Sequence, residues 1–467
     1  MAVSEAAPSS SSNDDFSWRL LEGANIHARR EHARVALWPS TGDRARPPPP
    51  KRSFLDIDEV ETFARDHGIK KNTLRLCYRE LFRRGKSTFE HTPDVSARDM
   101  KLLKENFTVC TSEVVETKTT EDGSGAKMVV KLHDGKLIET VVIGHSRSKD
   151  ADESNGGAGA GAPRAASDGG DAEKDGKVFR NTVCVSSQVG CAMGCTFCET
   201  GTLGLLANLT AGEICEQVWH ARNLCGKTGV RNVVMMGMGE PLDNYEEALI
   251  ALRAMTHQAV FDMRQRSVTV STVGVPSSIR KLADDAPNVG LALSLHAPTQ
   301  ELRAQLSPSA SGTAHTLGRL SESLKYHRRL SGRGAMIEYI VIDGVNDSPT
   351  HARDLGELVG RTLLQDDDGE VEGSNSLGGK GKGRRRREQS GYFVNLIPYN
   401  PTDVGSTHGY ESPADEALER MAAILSDEYG VKAKVRWSTR RGREVDGACG
   451  QLALKSMRKE EEEESVA

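Results

Sequence analysis

From Thr182 onward the chain alternates short, almost uniformly apolar runs with longer segments whose apolar residues recur at three- and four-residue spacing. The runs TVCVSS, VRNVVMMG, RSVTVST, VGLALSLH, MIEYIVID and YFVNLIPY predict six strands. Between and after them, helices are predicted from the capping box Thr210-Ala-Gly-Glu213 to about Leu224, and over Tyr245–Thr256, Pro276–Ala283, Leu317–Leu330, His351–Leu364 and Pro413–Tyr429. Uniformly apolar strands alternating with helices indicate a parallel sheet covered by helices. Six units fall short of a closed eight-fold barrel. The expected fold is therefore α/β, an open, partial (βα)6 barrel, with a doubly wound open sheet as the alternative.

The first part of the chain has a different rhythm. Asp56–His67 and Lys71–Phe82 are helical by spacing, within a small helical region over residues 53–107. Lys70, Lys71, Arg75, Arg79, Arg83, Arg84 and Lys86 make it basic, so it is either a bundle with a solvated face or an RNA-contacting accessory domain. Residues 108–145 read as a small β region around the turn His133-Asp134-Gly135. Four stretches are too polar or glycine-rich to offset the entropy of ordering: residues 1–52, 146–178, 365–390 and the acidic tail 457–467. That leaves the barrel at 179–440 and a C-terminal segment at 441–456. The run Arg384–Arg387 is equally compatible with a solvated loop, nuclear targeting or an RNA tether.

Composition narrows the class. No stretch approaches the ~20 apolar residues of a membrane span. A formal net charge of −5 excludes a globally basic nucleic-acid binder but not a local basic patch. Nine cysteines without a secretory leader point to reduced thiols in an intracellular enzyme. The Ser- and Ala-rich start also carries Glu5, Asp14 and Asp15, which import peptides avoid. Cytoplasm is the expected compartment, with plastid or mitochondrion as the alternative.

In folds of this kind, function gathers where the parallel strands end. Here those ends carry CAMGCTFC, GMGEPLDN, Ser271-Thr272, Ser294-Leu295-His296, Asp343 with Asn346, and Asn395 with Asn400. Cys191, Cys195 and Cys198 form C-x3-C-x2-C. Three thiolates suit three irons of a cubane cluster and leave one iron open. A zinc knot, the rival, wants a fourth Cys or His nearby.

CAMGCTFC followed by GMGEPL resembles the radical S-adenosylmethionine (SAM) superfamily. VCVSSQVGCAMGCTFCETG, VVMMGMGEPLDNY, LALSLHAP, VNLIPYNP and DGACGQLA more narrowly resemble the adenine C2 methyltransferases of ribosomal and transfer RNA, the RlmN/Cfr type. The resemblance spans roughly residues 54–145 and 179–456. It implies a [4Fe-4S] cluster on Cys191, Cys195 and Cys198, whose open iron binds SAM and whose electron cleaves it to a 5′-deoxyadenosyl radical. It implies SAM contacts at Gly239, Glu240, Ser271, Ser294, Leu295, His296 and Asn400. Adenine carbon 2 is electron-poor and cannot attack a methyl cation equivalent. The family therefore methylates a cysteine first, here Cys449. A second SAM activates that methyl group, the carbon adds to the base, and Cys184 releases the product by forming a disulfide. Glu139 matches the proton acceptor. The implied partners are RNA and an electron donor such as flavodoxin or ferredoxin, with no membrane, and a monomer is expected. Methylation at carbon 8 and other radical SAM reactions are the alternatives. A second rival, of another class, is a metal-binding RNA module without catalytic activity. Cys77, Cys110, Cys215 and Cys225 match no motif.

Overall fold

The computed structural model describes residues 46–147, 172–174, 177–226, 229–364, 391–437, 445 and 447–452. The polar stretches 365–390 and 457–467, and most of 1–52 and 146–178, lie outside them.

Strand β1 (Arg52–Ser53) pairs in parallel with β2 (Phe107–Thr108), closing off a layer of three helices, α1 (Ile57–Asp66), α2 (Lys71–Phe82) and α3 (Ala97–Asn106). Asp56 caps α1 through Glu59 N, and Ser96 caps α3 through Asp99 N. An aromatic cluster fills this layer: Phe54 stacks on Phe89 at 4.1 Å between centroids, and Phe63 meets Phe107 edge-on at 5.2 Å. Phe82 continues the cluster onto Trp219 and Phe261 of the barrel.

The main sheet begins with the antiparallel strands β3 (Glu113–Thr119), β4 (Gly125–Lys131) and β5 (Leu137–Arg147). A short strand β6 (Ala172–Lys174) and β7 (Lys177–Cys184) follow, and β5 pairs antiparallel with β7. The β region is thus continuous with the barrel sheet. Its pairing runs past position 145, where Ser146 opposes Phe179 and Arg147 opposes Val178. A small hairpin, β8 (Gln188–Gly190) with β9 (Leu205–Asn208), stands at the end of β7.

The parallel strands then follow in order: β10 (Val230–Met235), β11 (Val268–Thr272), β12 (Gly290–Ser294), β13 (Met336–Val341), β14 (Phe393–Pro398) and β15 (Lys432–Val435). Their connecting helices are α4 (Ala211–Cys225), α5 (Tyr245–Thr256), α6 (Pro276–Asp285), α7 (Gln300–Leu306), α8 (Leu317–Ser331), α9 (Pro349–Gly356), α10 (Asp403–Thr407) and α11 (Asp415–Tyr429). The capping box of α4 forms as the sequence predicts. The path β15-β14-β13-β12-β11-β10-β7-β5-β4-β3 has two ends, so the barrel is open. The six predicted parallel strands are all present. The additional β15 escapes an apolar-run criterion because its residues alternate between exposed and half-buried at the sheet edge.

One buried ion network pins the segment before the helical layer. Arg46 bonds Asp134 of the β4–β5 turn at 2.6 Å and Glu213 of α4 at 2.6 Å, with all three side chains nearly inaccessible. Glu216 of α4 fastens the next link, accepting the N–H groups of Thr111 and Ser112, each at 2.9 Å.

Candidate active site

The loop from Cys191 to Gly204 is shaped by glycines. Gly190 has φ +73°, and a Cβ there would fall 2.0 Å from the Gly204 oxygen, the acceptor of the Cys191 N–H. Gly194 adopts φ +64°, and the N–H of Cys198 donates to Cys195 O at 3.1 Å. Helix α7 supports the loop from outside: Thr196 N donates to Leu306 O at 3.0 Å, and Ser307 Oγ lies 3.4 Å from Cys195 Sγ.

The three thiols line one cavity of about 440 Å³. Burial pushes Cys191 and Cys195 up to about 12 and Cys198 upward as well. Cys195 and Cys198 both act electrostatically on Cys191, so the three sulfurs form one set. Three thiols on one loop suit three irons of a polynuclear centre, with the thiol protons released on iron binding.

The same cavity gathers Gly239, Glu240, Ser271, Ser294, His296, Cys184 and Cys449. Gly239 has φ +97°, and a Cβ would meet Gln188 Cβ at 2.5 Å, so the backbone here passes closer to β8 than any side chain permits. Glu240 is buried, and its carboxylate accepts Leu242 N at 3.0 Å and Val273 N at 2.7 Å. Burial outweighs those bonds and pushes it up to about 7. Ser271 and Ser294 hydroxyls lie 3.4 Å apart. His296 takes a left-handed backbone, φ +58°, and its Nδ1 accepts the Ile340 N–H at 3.1 Å. Burial, then the charge of Arg303, push it down to about 3, so the ring is neutral with its proton on Nε2. Leu295 and Asn400 are buried and do not line the cavity.

Cys184 ends β7, and Cys449 arrives from the C-terminal segment. Cys449 is exposed, Cys184 is buried, and both are free thiols. Burial pushes Cys184 up to about 12, and Cys449 adds to that shift. Gly450 O accepts Glu199 N at 2.9 Å, and Thr200 Oγ1 donates to Leu452 O at 2.7 Å, so this segment lies directly on the cysteine loop. Glu139 stands apart from the cavity lining. By register it shares the sheet face of Cys184, whose partner is Val141, and it forms a buried ion pair with Lys127 at 2.9 Å.

Sequence reasoning did not single out Lys127, Glu338 or Arg303. Glu338 lines the cavity, its Oε1 bonded to Asn395 Nδ2 at 2.8 Å. It is the one charged residue in the apolar run MIEYIVI, and that contrast was the available signal.

Open parallel barrel and three-cysteine loop together define a class, and residues 185–355 match the family model described as Radical SAM superfamily. A "Probable dual-specificity RNA methyltransferase RlmN" of Thermotoga neapolitana is 32% identical over 86% of this chain and 98% of its own length. A "Ribosomal RNA large subunit methyltransferase N" of Nitrosopumilus maritimus is 34% identical over 75% of this chain and 85% of its own. The crystal structure of a radical SAM methyltransferase from Sphaerobacter thermophilus superposes with a TM-score of 0.67 at 31% identity, over 86% of this chain and 99% of that one. The chain belongs to the radical SAM RNA methyltransferases of the RlmN type. Its cofactors are a [4Fe-4S] cluster and SAM.

Proposed function

We propose that the protein methylates carbon 2 of an adenine in ribosomal or transfer RNA through a methylated Cys449. The observation that carries this reading is the meeting of Cys184 and Cys449 in the cavity of the cluster cysteines, where Cys449 acts on the Cys184 thiol. Cys191, Cys195 and Cys198 hold the cluster. Gly239, Glu240, Ser271, Ser294 and His296 line the space for SAM, backed by Leu295 and Asn400. When bound, cluster and SAM supply a methyl group and, by one-electron cleavage, a 5′-deoxyadenosyl radical.

The chain's residues do the rest. Cys449 sulfur accepts the methyl group; that S-methyl carbon would then lose one hydrogen atom to the 5′-deoxyadenosyl radical and add to the base while still joined to Cys449. Glu139 is the proposed acceptor of the carbon 2 proton; paired with Lys127 outside the cavity lining, it leaves that pair to reach the base. Cys184, as its thiolate, attacks Cys449 sulfur; the disulfide forms, the base leaves, and the adduct's unpaired electron passes to an acceptor, which the oxidised cluster would supply when bound. Cys184 is held near 12 by burial, so it loses its proton to a base before acting as a nucleophile. Glu240 and Glu338, both raised by burial, are carboxylates within the cavity. The adenine leaves its stack to enter, so unpaired bases react faster than paired ones.

A flavodoxin or ferredoxin is the proposed electron donor, the protein acts as a monomer, and cytoplasm is the proposed compartment. No helix among the described residues is long and apolar enough to cross a membrane. Nucleoside mass spectrometry of ribosomal and transfer RNA from a knockout tests the reading. Loss of 2-methyladenosine is expected; loss of the carbon 8 isomer, or of neither, overturns it.

A further inference from the structure

Helix α7 carries Arg303, whose side chain is 0% exposed. Its guanidinium donates to the carbonyls of Leu295 at 2.8 Å and Ser294 at 3.3 Å, and to that of Val273. These acceptors are main-chain oxygens just at and beyond the ends of β11 and β12. The Nε has no partner, and among the described residues no carboxylate comes within ion-pair distance. A buried cation held only by neutral carbonyls is costly unless a negative group faces it.

Two observations say where that group lies. Burial lowers Arg303 to about 10, and the charges that oppose the shift are those of Cys195 first and Glu240 second. The helix also ends on the cysteine loop, since Ser307, whose N–H bonds Arg303 O at 2.8 Å, touches Cys195 Sγ. Arg303 does not line the cavity, so beyond bracing the Ser294 and Leu295 carbonyls it acts on the cluster through its field.

We propose that Arg303 is the fixed countercharge of the iron–sulfur centre. A cubane held by three thiolates is negative overall and gains one more negative charge on reduction. A buried cation beside Cys195 stabilises both states, the reduced one more, and so raises the reduction potential. Arginine suits the task because its guanidinium offers several donors, which the carbonyls of Val273, Ser294 and Leu295 accept while the positive charge stays in place. The proposal concerns the cluster alone and does not depend on which RNA carbon is methylated.

The test is a redox titration of reconstituted full-chain protein, followed by electron paramagnetic resonance, for wild type, Arg303→Met and Arg303→Lys. In Arg303→Met the midpoint should move negative, with the ratio of reduced to oxidised cluster at a fixed potential falling on the order of tenfold, the scale of one unit charge in a medium of effective dielectric about 20. Arg303→Lys keeps the charge and should stay near the wild-type midpoint. An unchanged midpoint in Arg303→Met, or an equal shift in both variants, overturns the proposal. Should Arg303→Met hold no cluster, iron content decides: retention of iron by Arg303→Lys supports the countercharge, and equal loss from both variants shows a purely structural role.

Discussion

The loop from Cys191 to Gly204 and the segment from Gly447 to Leu452 face the same cavity, yet they are held differently. The loop is fixed at both ends by the β8–β9 hairpin, inside by backbone bonds, and from outside by α7. The C-terminal segment rests on it through Glu199 N to Gly450 O, Thr200 Oγ1 to Leu452 O, and Gln451 Nε2 to Pro401 O. Its cysteine is exposed, while the loop's three are half-buried. Cluster ligands must not move. A methyl carrier must present its sulfur in turn to a methyl donor, a base and a second thiol. The contrast in anchoring is the one that the proposed duties of cluster ligand and methyl carrier require.

The comparison breaks most sharply at the loop. Cys191→Ala, Cys195→Ala or Cys198→Ala should abolish cluster assembly and SAM cleavage together. Wild-type iron with continued 5′-deoxyadenosine formation in any one of them would show that the loop is not the metal site.

Substitution in the C-terminal segment should spare the metal. Cys449→Ala should retain wild-type iron and make no methylated RNA. Cys184→Ala should accept the methyl group and then stall as a denaturation-stable protein–RNA adduct through Cys449. Denaturing gels and peptide mass spectrometry read the difference, and normal turnover by either variant sinks the two-cysteine scheme.

A smaller effect comes from pH. The folded cluster-free chain holds Cys184 near 12, above an ordinary thiol. The folded state therefore binds the proton more tightly than the unfolded state. Stability is full below the ordinary thiol value and is lost as pH rises toward 12, at up to about 1.4 kcal/mol per pH unit. Thermal melts of cluster-free Cys184→Ala should fall less between pH 9 and 11 than those of wild type; parallel curves would show that Cys184 is not held protonated.

The smallest effect is expected from excising residues 365–390. A Cβ on Gly391 would lie 3.8 Å from the Leu364 side chain, so the two ends of the segment nearly touch and a short turn can join them. Turnover at saturating RNA should stay within about twofold, and any loss should appear in affinity and its salt dependence. A collapse of turnover at saturating RNA would make the segment part of the folded machinery.

Much of this was legible in order. The apolar runs gave the parallel strands because both faces of that sheet are covered, and the strand ends gave the polar residues of the cavity. Cysteine spacing and the short motifs marked the loop, Gly239 and Cys449. Tertiary pairings were not legible. Lys127 reaches Glu139 across strands that only folding places side by side. Arg303 lies on a seven-residue helix whose pattern differs little from a solvated one. Leu295 and Asn400 carry motif positions but turn into the wall, which motif matching cannot distinguish from lining. Arg46 sits in a proline-rich stretch that composition marks as unstructured, and a single buried guanidinium has no periodic signature.

That arginine also sets how far the chain can be trimmed from its start. A protease or an expression design that leaves Arg46 in place keeps the clasp between the β4–β5 turn and α4. A cut one residue later leaves Glu213 to His133 and Asp134 to Lys136, both in a site built around a guanidinium. On the scale of a buried ion pair that loses one partner, the shortened form would be on the order of 3 kcal/mol less stable. Position 46 is therefore the natural left margin for fusion tags, for processing, and for any minimal version of the enzyme.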